Sequence, residues 1–368
     1  MTENMLSDVG KMVQETAGRI LAAHCGPAQL KAAEGGWSAA LWDELAAAGL
    51  PLALEPAGAG ELGVPVGDAL NLVCLAGRWA APAPLTETLF ANWLLGSSGL
   101  HADAAPRSII GLNGRDQLKL EKDGGGWRLT GVARRVPWGR YCGLLAVVET
   151  AEGLRIAEAP AATFQVVEGE NLAREPRDEV QIDTLIPADR SAVASASRLG
   201  LRAQAAALRA LQISGAAERV LELTVDYAKA RVQFGRPIAK FQAVQQSIAV
   251  LGGQVAAARA AADSVIGGFE APQSFFVCVA AKIRAGEASG IIARQAHQVH
   301  GAIGFTQEYE LHFLTKRLWS WRDEYGSEAG WSRLLGEEVL RRGADAAWPF
   351  ITSGLAGGAP AAANGATA

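Results

Sequence analysis

The chain has 368 residues, 49% of them hydrophobic and 20% charged, with a net charge of −4. That is enough to bury more than one core, is far from disordered composition, and gives no electrostatic ground for nucleic acid or an anionic membrane as partner. Cys25, Cys74, Cys142 and Cys278 are widely spaced with no CxxC pair, so spacing suggests neither a disulfide framework nor a zinc site. The N-terminus mixes charged with apolar residues, and no later run is long enough to span a bilayer. A soluble, unprocessed, cytoplasmic protein is expected.

In chain order, residues 1–105 are expected to form an N-terminal helical domain. Met5, Val9, Met12, Val13 and Ile20 recur at helical spacing, and 37–48 and 66–80 are further helix candidates. Residues 106–196 change to short apolar runs broken by turn residues, such as GGGWRLTGV and CGLLAVVE, which predicts a small β domain. Helical pattern returns over 197–345. There Ile213, Ala217, Val220, Thr224 and Tyr227 fall at steps of three and four, as on the buried stripe of a bundle helix. Residues 346–368, rich in Gly and Ala, are expected to be a disordered tail. The fold class is therefore α+β: helices, a small β-barrel-like domain, then a four-helix bundle.

The strongest local signal is YAKARVQFGRPIAKFQAVQ at 227–245. Arg231 supplies a permanent cation with bidentate donors, Phe234 a flat apolar face, Gly235 a chain reversal, and Gln233 and Gln242 amide groups. The bland alternative is an Arg and a Phe that cap and pack a helix end. A second segment, QVHGAIGFTQEYELHFLTKRLW at 298–319, places Gln298, Gly301 and Gly304 where backbone amides can approach an anion. Both strings resemble the acyl-CoA dehydrogenase family, in which they complete an FAD site across a subunit interface. Ala302 stands where that family usually has a second glycine. The N-terminal stretch 41–95 also looks like the family's helical domain, so the resemblance covers nearly the whole chain and is weakest in the middle.

The resemblance implies FAD as cofactor, an acyl-CoA thioester as substrate, an electron-transfer flavoprotein as acceptor, and a homo- or hetero-oligomer. The implied reaction is α,β-desaturation, in which a carboxylate removes the α-proton while flavin N5 accepts hydride. Three departures stand against it. The family's threonine-glutamate-proline-glycine loop, which shapes the flavin and thioester pocket, is replaced by RSIIGLNGRDQLKL, and its tryptophan-isoleucine-threonine or serine segment by GVARRVPWGRY. Counted without gaps, Tyr325 falls on the family's base and Ala205 on its other base position, which leaves Glu324 one residue early in DEYG.

Glu324, with Asp323 as a weaker substitute, is thus the candidate base, and a solvated surface charge is its bland alternative. Three functions remain open: an active FAD-dependent dehydrogenase, which the surviving FAD motifs favour; a base-deficient subunit that completes the FAD site of a catalytic partner; and another flavin chemistry, such as monooxygenation or nitro-compound oxidation, for which the sequence has no positive mark. An atypical or bulky acyl group, such as a steroid side chain, is the substrate class expected from the lost loop. The GAGELG string at 58–63 fits GxGxxG spacing without a βαβ unit, and His297 and His300 lack further ligands at metal spacing. Trp319, Trp321 and Trp331 are expected in a core or interface.

Overall fold

Ser7 opens the first helix, α1 (Asp8–His24), by accepting a hydrogen bond from the Gly10 amide. Its buried face is Gly10, Val13, Ala17, Ile20 and Leu21, whereas Met12 is 61% exposed, so the stripe is rotated from the expected one. The computed structural model describes residues 6–56, 63–161, 163–271 and 274–352; Met5 and most of the GAGELG string lie outside them. Helices α2 (Pro27–Ala32), α3 (Ala39–Ala47), α4 (Val66–Arg78) and α5 (Leu85–Ser97) follow. Eleven consecutive residues of α5, Leu85 to Leu95, are buried, Glu87 among them, so this helix runs through the core.

Among the described residues the middle region has eight strands: β1 (Arg107–Ile110), β2 (Gln117–Asp123), β3 (Gly126–Pro137), β4 (Gly143–Thr150), β5 (Gly153–Ala159), β6 (Phe164–Val167), β7 (Arg177–Pro187) and β8 (Ser191–Val193). They form two four-stranded sheets, β1-β4-β5-β8 and β2-β3-β7-β6. The expected barrel is therefore not closed, because each sheet ends in strands paired on one side only. Between the sheets lie Leu129, Val136, Leu144, Ala146, Val180 and Ile182, while Leu145 and Val147 on the opposite face of β4 join the helical core. Burial on both faces explains the continuous apolar run in that strand.

The C-terminal region begins with α6 (Arg198–Ala230), capped by Ser197, and continues through α7 (Gln242–Gly268), α8 (Ser274–His300) and α9 (Leu311–Arg322). The stripe read from the sequence lies inward on α6, with Ile213, Ala217, Val220 and Thr224 buried. Two more helices, α10 (Glu328–Arg342) and α11 (Ala344–Thr352), close the described chain. Residues 346–352, expected in a disordered tail, are thus helical. Phe350 packs edge-on against Phe276 at 5.0 Å, and the Arg342 guanidinium lies over its ring. Residues 353–368 are outside the described part.

Helices α4 and α6 cross at touching distance. A Cβ on Gly215 would lie 1.8 Å from the Cys74 carbonyl oxygen, and one on Gly77 would lie 2.1 Å from that of Gln212. Neither obstacle is a movable side chain. Gly215→Ala is expected to lower unfolding free energy by at least ~1–3 kcal/mol through overpacking. A urea midpoint equal to wild type would contradict the crossing.

Candidate functional site

At the end of α6 the chain reverses through a two-stranded hairpin, β9 (Val232–Gln233) and β10 (Arg236–Pro237). Phe234 and Gly235 form its tip with φ of 51° and 78°. Positive φ at both central residues matches the tight turn whose twist suits a hairpin, but it is strained for a phenylalanine. The ring is nevertheless 92% exposed, with Phe241 edge-on at 6.1 Å. Arg231, Gln233 and Gln242 are exposed beside it.

The second motif lies at the same end of the bundle. Tyr227 on α6 stacks on His300 at the end of α8 (4.5 Å between centroids, 20° between planes), and the His300 Nε2 lies 3.3 Å from the Tyr309 hydroxyl. These contacts tie the hairpin to the 3-10 turn Gly301–Phe305. Gln298, Gly301 and Ala302 are exposed there, and Gly301 takes a φ of 64° with open space around its Cα. Gly304 is different. It is buried, and its would-be Cβ would meet the side chains of His297, His300 and Leu311 at 3.1 Å, so a larger residue would make these neighbours shift by a few tenths of an ångström. His297 bonds to Thr315 and stacks on Phe305 and Trp319. The structure thus brings all seven expected FAD residues, each of them exposed, to one end of the bundle.

Glu324 is neither solvated nor free. Its side chain is 8% exposed. Arg177 donates to it through Nε at 2.6 Å and Nη2 at 3.2 Å, and Arg209 through Nε at 2.6 Å. Arg209 also holds Glu87 at 2.6 Å, Arg177 reaches Glu175 at 3.0 Å, and Arg317 reaches Glu175 at 3.0 Å. Three carboxylates and three guanidiniums therefore alternate through the core, joining α5, α6, α9 and the edge of β7. Burial alone would push the Glu324 carboxyl up, but Arg177 and Arg209 outweigh it and hold it at about 2. A general base works best with a pKa near the operating pH. With both oxygens occupied, Glu324 is an ion-pair partner in this structure, and the bland alternative of a solvated surface charge does not hold. Asp323 is exposed and bonds to Arg322.

Little space is left beside this network. Thr86, Glu87, Phe90, Ala205, Arg209 and Tyr325 leave a cavity of only about 10 Å³. In front lies a larger cleft of about 470 Å³ between the β region and α6, bordered by the two segments that depart from the family pattern and by Glu324 to Ser327.

Just ahead of Glu324, buried Lys282 caps α9, its Nζ donating to the Trp321 and Arg322 carbonyls at 2.7 Å each. Burial pulls its ammonium from the ordinary 10.5 down to about 7. The unfolded chain then holds this proton to higher pH than the folded one, so the lysine makes stability rise between pH about 7 and 10.5. Lys282→Met is expected to flatten that rise in pH-dependent urea unfolding; an unchanged slope would contradict the burial of its charge.

Residues 201–322 match the model of the acyl-CoA dehydrogenase C-terminal domain. The acyl-CoA dehydrogenase IpdE2 of Mycobacterium tuberculosis is 33% identical over 352 residues, covering 92% of this chain and 97% of that protein. The chain belongs to the acyl-CoA dehydrogenase family. Members are FAD-dependent oxidoreductases acting on acyl-CoA. The fold agrees: the ChsE4–ChsE5 complex from M. tuberculosis superposes with a TM-score of 0.83 at 20% identity, over 92% of this chain and 99% of that one. The Tcur3481–Tcur3483 steroid ACAD superposes at 0.80 and 24% identity, over 90% and 98%. Among the described residues, no helix of this dehydrogenase relative is long and apolar enough to cross a membrane.

Sequence reasoning missed Glu87, Glu175, Arg177, Arg209 and Arg317. One signal was present. Arg209 lies four residues before Ile213, on the stripe already assigned to the bundle interior, and a cation there requires a counter-ion.

Proposed function

We propose that the chain serves acyl-CoA dehydrogenation as a base-deficient subunit that completes the FAD site of a different, catalytic family member. The observation that carries this reading is the fate of Glu324, buried between two arginines, with only about 10 Å³ left among Glu87, Ala205, Arg209 and Tyr325 beside the network. An acyl chain would have to displace a charge-balanced ion network to enter, and no free carboxylate would meet its α-proton.

The exposed end of the bundle supports the other half of the reading. Arg231 would hold a phosphate of FAD, Phe234 would lie against the cofactor, and Gln233, Gln242 and Gln298 would supply amide groups. Gly301 and Ala302 would let the backbone approach. These residues fit, because a strained, solvent-facing phenylalanine beside an arginine and an open glycine makes sense as half of a shared site. Held by these residues, FAD would supply a hydride acceptor for the partner's reaction, with an electron-transfer flavoprotein as the expected onward acceptor. The ChsE4–ChsE5 complex and the Tcur3481–Tcur3483 steroid ACAD each combine two named proteins on this fold. They favour a mixed assembly, and a ring-bearing acyl group as the partner's substrate.

A second reading, with Glu324 as a working base, draws on its position at the rim of the 470 Å³ cleft. It requires both guanidiniums to let go in the assembled enzyme. Co-expression with a family member that carries its own base tests the two. In the proposed assembly Glu324→Asp in this chain leaves kcat within about twofold, whereas a base role loses at least about a hundredfold.

A further inference from the structure

The 470 Å³ cleft is of ligand size and is lined from three sides by arginine. Arg115 comes from the segment in place of the family's flavin-pocket loop. Arg134 and Arg135 come from the segment in place of its tryptophan-containing one, and Arg202 from the first turn and a half of α6. Both segments that lost the family pattern have therefore brought cations to the same cavity.

Two of these cations are placed by a specific backbone device. The β3–β7 ladder slips between Ala133 and Val136, and Arg135 adopts a φ of 56°. A bulge of this kind re-aims side chains out of the ladder, and it is costly for a non-glycine residue. Asp116 fixes the arrangement from behind. Its carboxylate accepts from the amides of Gly111, Asn113 and Arg134 at 2.8, 3.3 and 2.9 Å, so its oxygens face the backbone.

The charges do not cancel. Arg134 pairs with Glu179 at 3.2 Å, but Arg115, Arg135 and Arg202 take part in no ion pair among the described residues. Glu324 is turned to Arg177 and Arg209, and Asp323 to Arg322. Arg202 is the informative one. It is partly buried, its Nε reaches only the Tyr325 carbonyl at 3.3 Å, and its guanidinium lies 5.4 Å over the Trp331 ring. Burial, with Arg198 nearby, lowers its pKa, the reverse of what a counter-ion does.

We infer that this cleft is a binding site for a diphosphate group, held by Arg115, Arg135 and Arg202, and not a seat for a flavin ring or an acyl chain. Guanidiniums match phosphate oxygens in bidentate geometry, and a diphosphate presents several oxygens on adjacent centres to cations converging from different elements. A neutral ring or an apolar chain would leave the partly buried Arg202 guanidinium without a partner, whereas Arg115 and Arg135 stand exposed at the mouth of the same cleft. The inference is independent of the hairpin at the other end of α6.

The test is calorimetric titration of the full-length chain with inorganic pyrophosphate, ADP, coenzyme A and FAD, repeated on Arg202→Gln and on Arg135→Gln. The exposed Arg135 keeps the test valid if the Arg202 variant folds poorly. Pyrophosphate and ADP are expected to bind once per chain, with affinity lowered at least about tenfold in each folded variant and by added salt. Coenzyme A binding more tightly than ADP and losing as much in the variants would assign the diphosphate to the thioester carrier; ADP binding more tightly would assign it to a free nucleotide. Absence of binding by both pyrophosphate and ADP overturns the inference. So does binding that both variants leave unchanged, or binding of FAD alone.

Discussion

Replacing Glu324 by glutamine is expected to destabilise the fold by about 3–5 kcal/mol, the usual cost of breaking a buried ion pair from one side. The amide leaves the guanidiniums of Arg177 and Arg209 buried against a neutral group, with Glu87 and Glu175 as their remaining counter-ions. A catalytic base behaves otherwise, since its removal abolishes turnover while stability stays the same or rises. Acid unfolding adds a signed check. The Glu324 carboxyl is lowered from the ordinary 4.5 to about 2, so its stabilisation is fully present above about 4.5 and is lost as pH falls toward 2. In Glu324→Gln that part of the acid limb should flatten. A variant with wild-type stability and a wild-type acid profile would show that the network does not hold the core.

The second large effect is expected at the hairpin. Phe234→Ala and Arg231→Gln should each lower FAD affinity of the assembled enzyme by roughly thirtyfold or more, the loss typical of a central aromatic or arginine anchor. The isolated chain should unfold as wild type, because Phe234 is 92% exposed and alanine keeps the same positive φ. That combination separates an interface role from a packing role. A variant that keeps its flavin while losing chain stability would make the hairpin a structural cap.

The architecture was legible because periodicity is local. The α6 stripe from Ile213 to Thr224 was read at the correct phase, since packing on α8 and α4 requires no more than a continuous apolar face. On α1 the phase was off by part of a turn. Val13 and Ile20 are buried, but Met12, apolar and flexible, lies outside. The turn after α6 was legible through the resemblance of its string to a family motif, but the short β9–β10 pairing within it was not read.

Glu324 was found by counting but misjudged in environment. Its partners Arg177, Arg209, Glu87 and Glu175 are distant in sequence, and ion pairing between remote segments leaves no periodic trace. The open sheets were missed for a similar reason. Eight short strands with alternating burial suit either a barrel or two sheets, and only pairing at the edges decides.

The most direct measurement is the visible spectrum of the chain purified alone and mixed with a panel of acyl-CoA thioesters, including ring-bearing ones. The account predicts little or no flavin and no substrate-dependent bleaching, with both restored on adding a catalytic family partner. Flavin that fills the lone chain and bleaches with an acyl-CoA would contradict it, and would mean that Arg177 and Arg209 release Glu324 for catalysis.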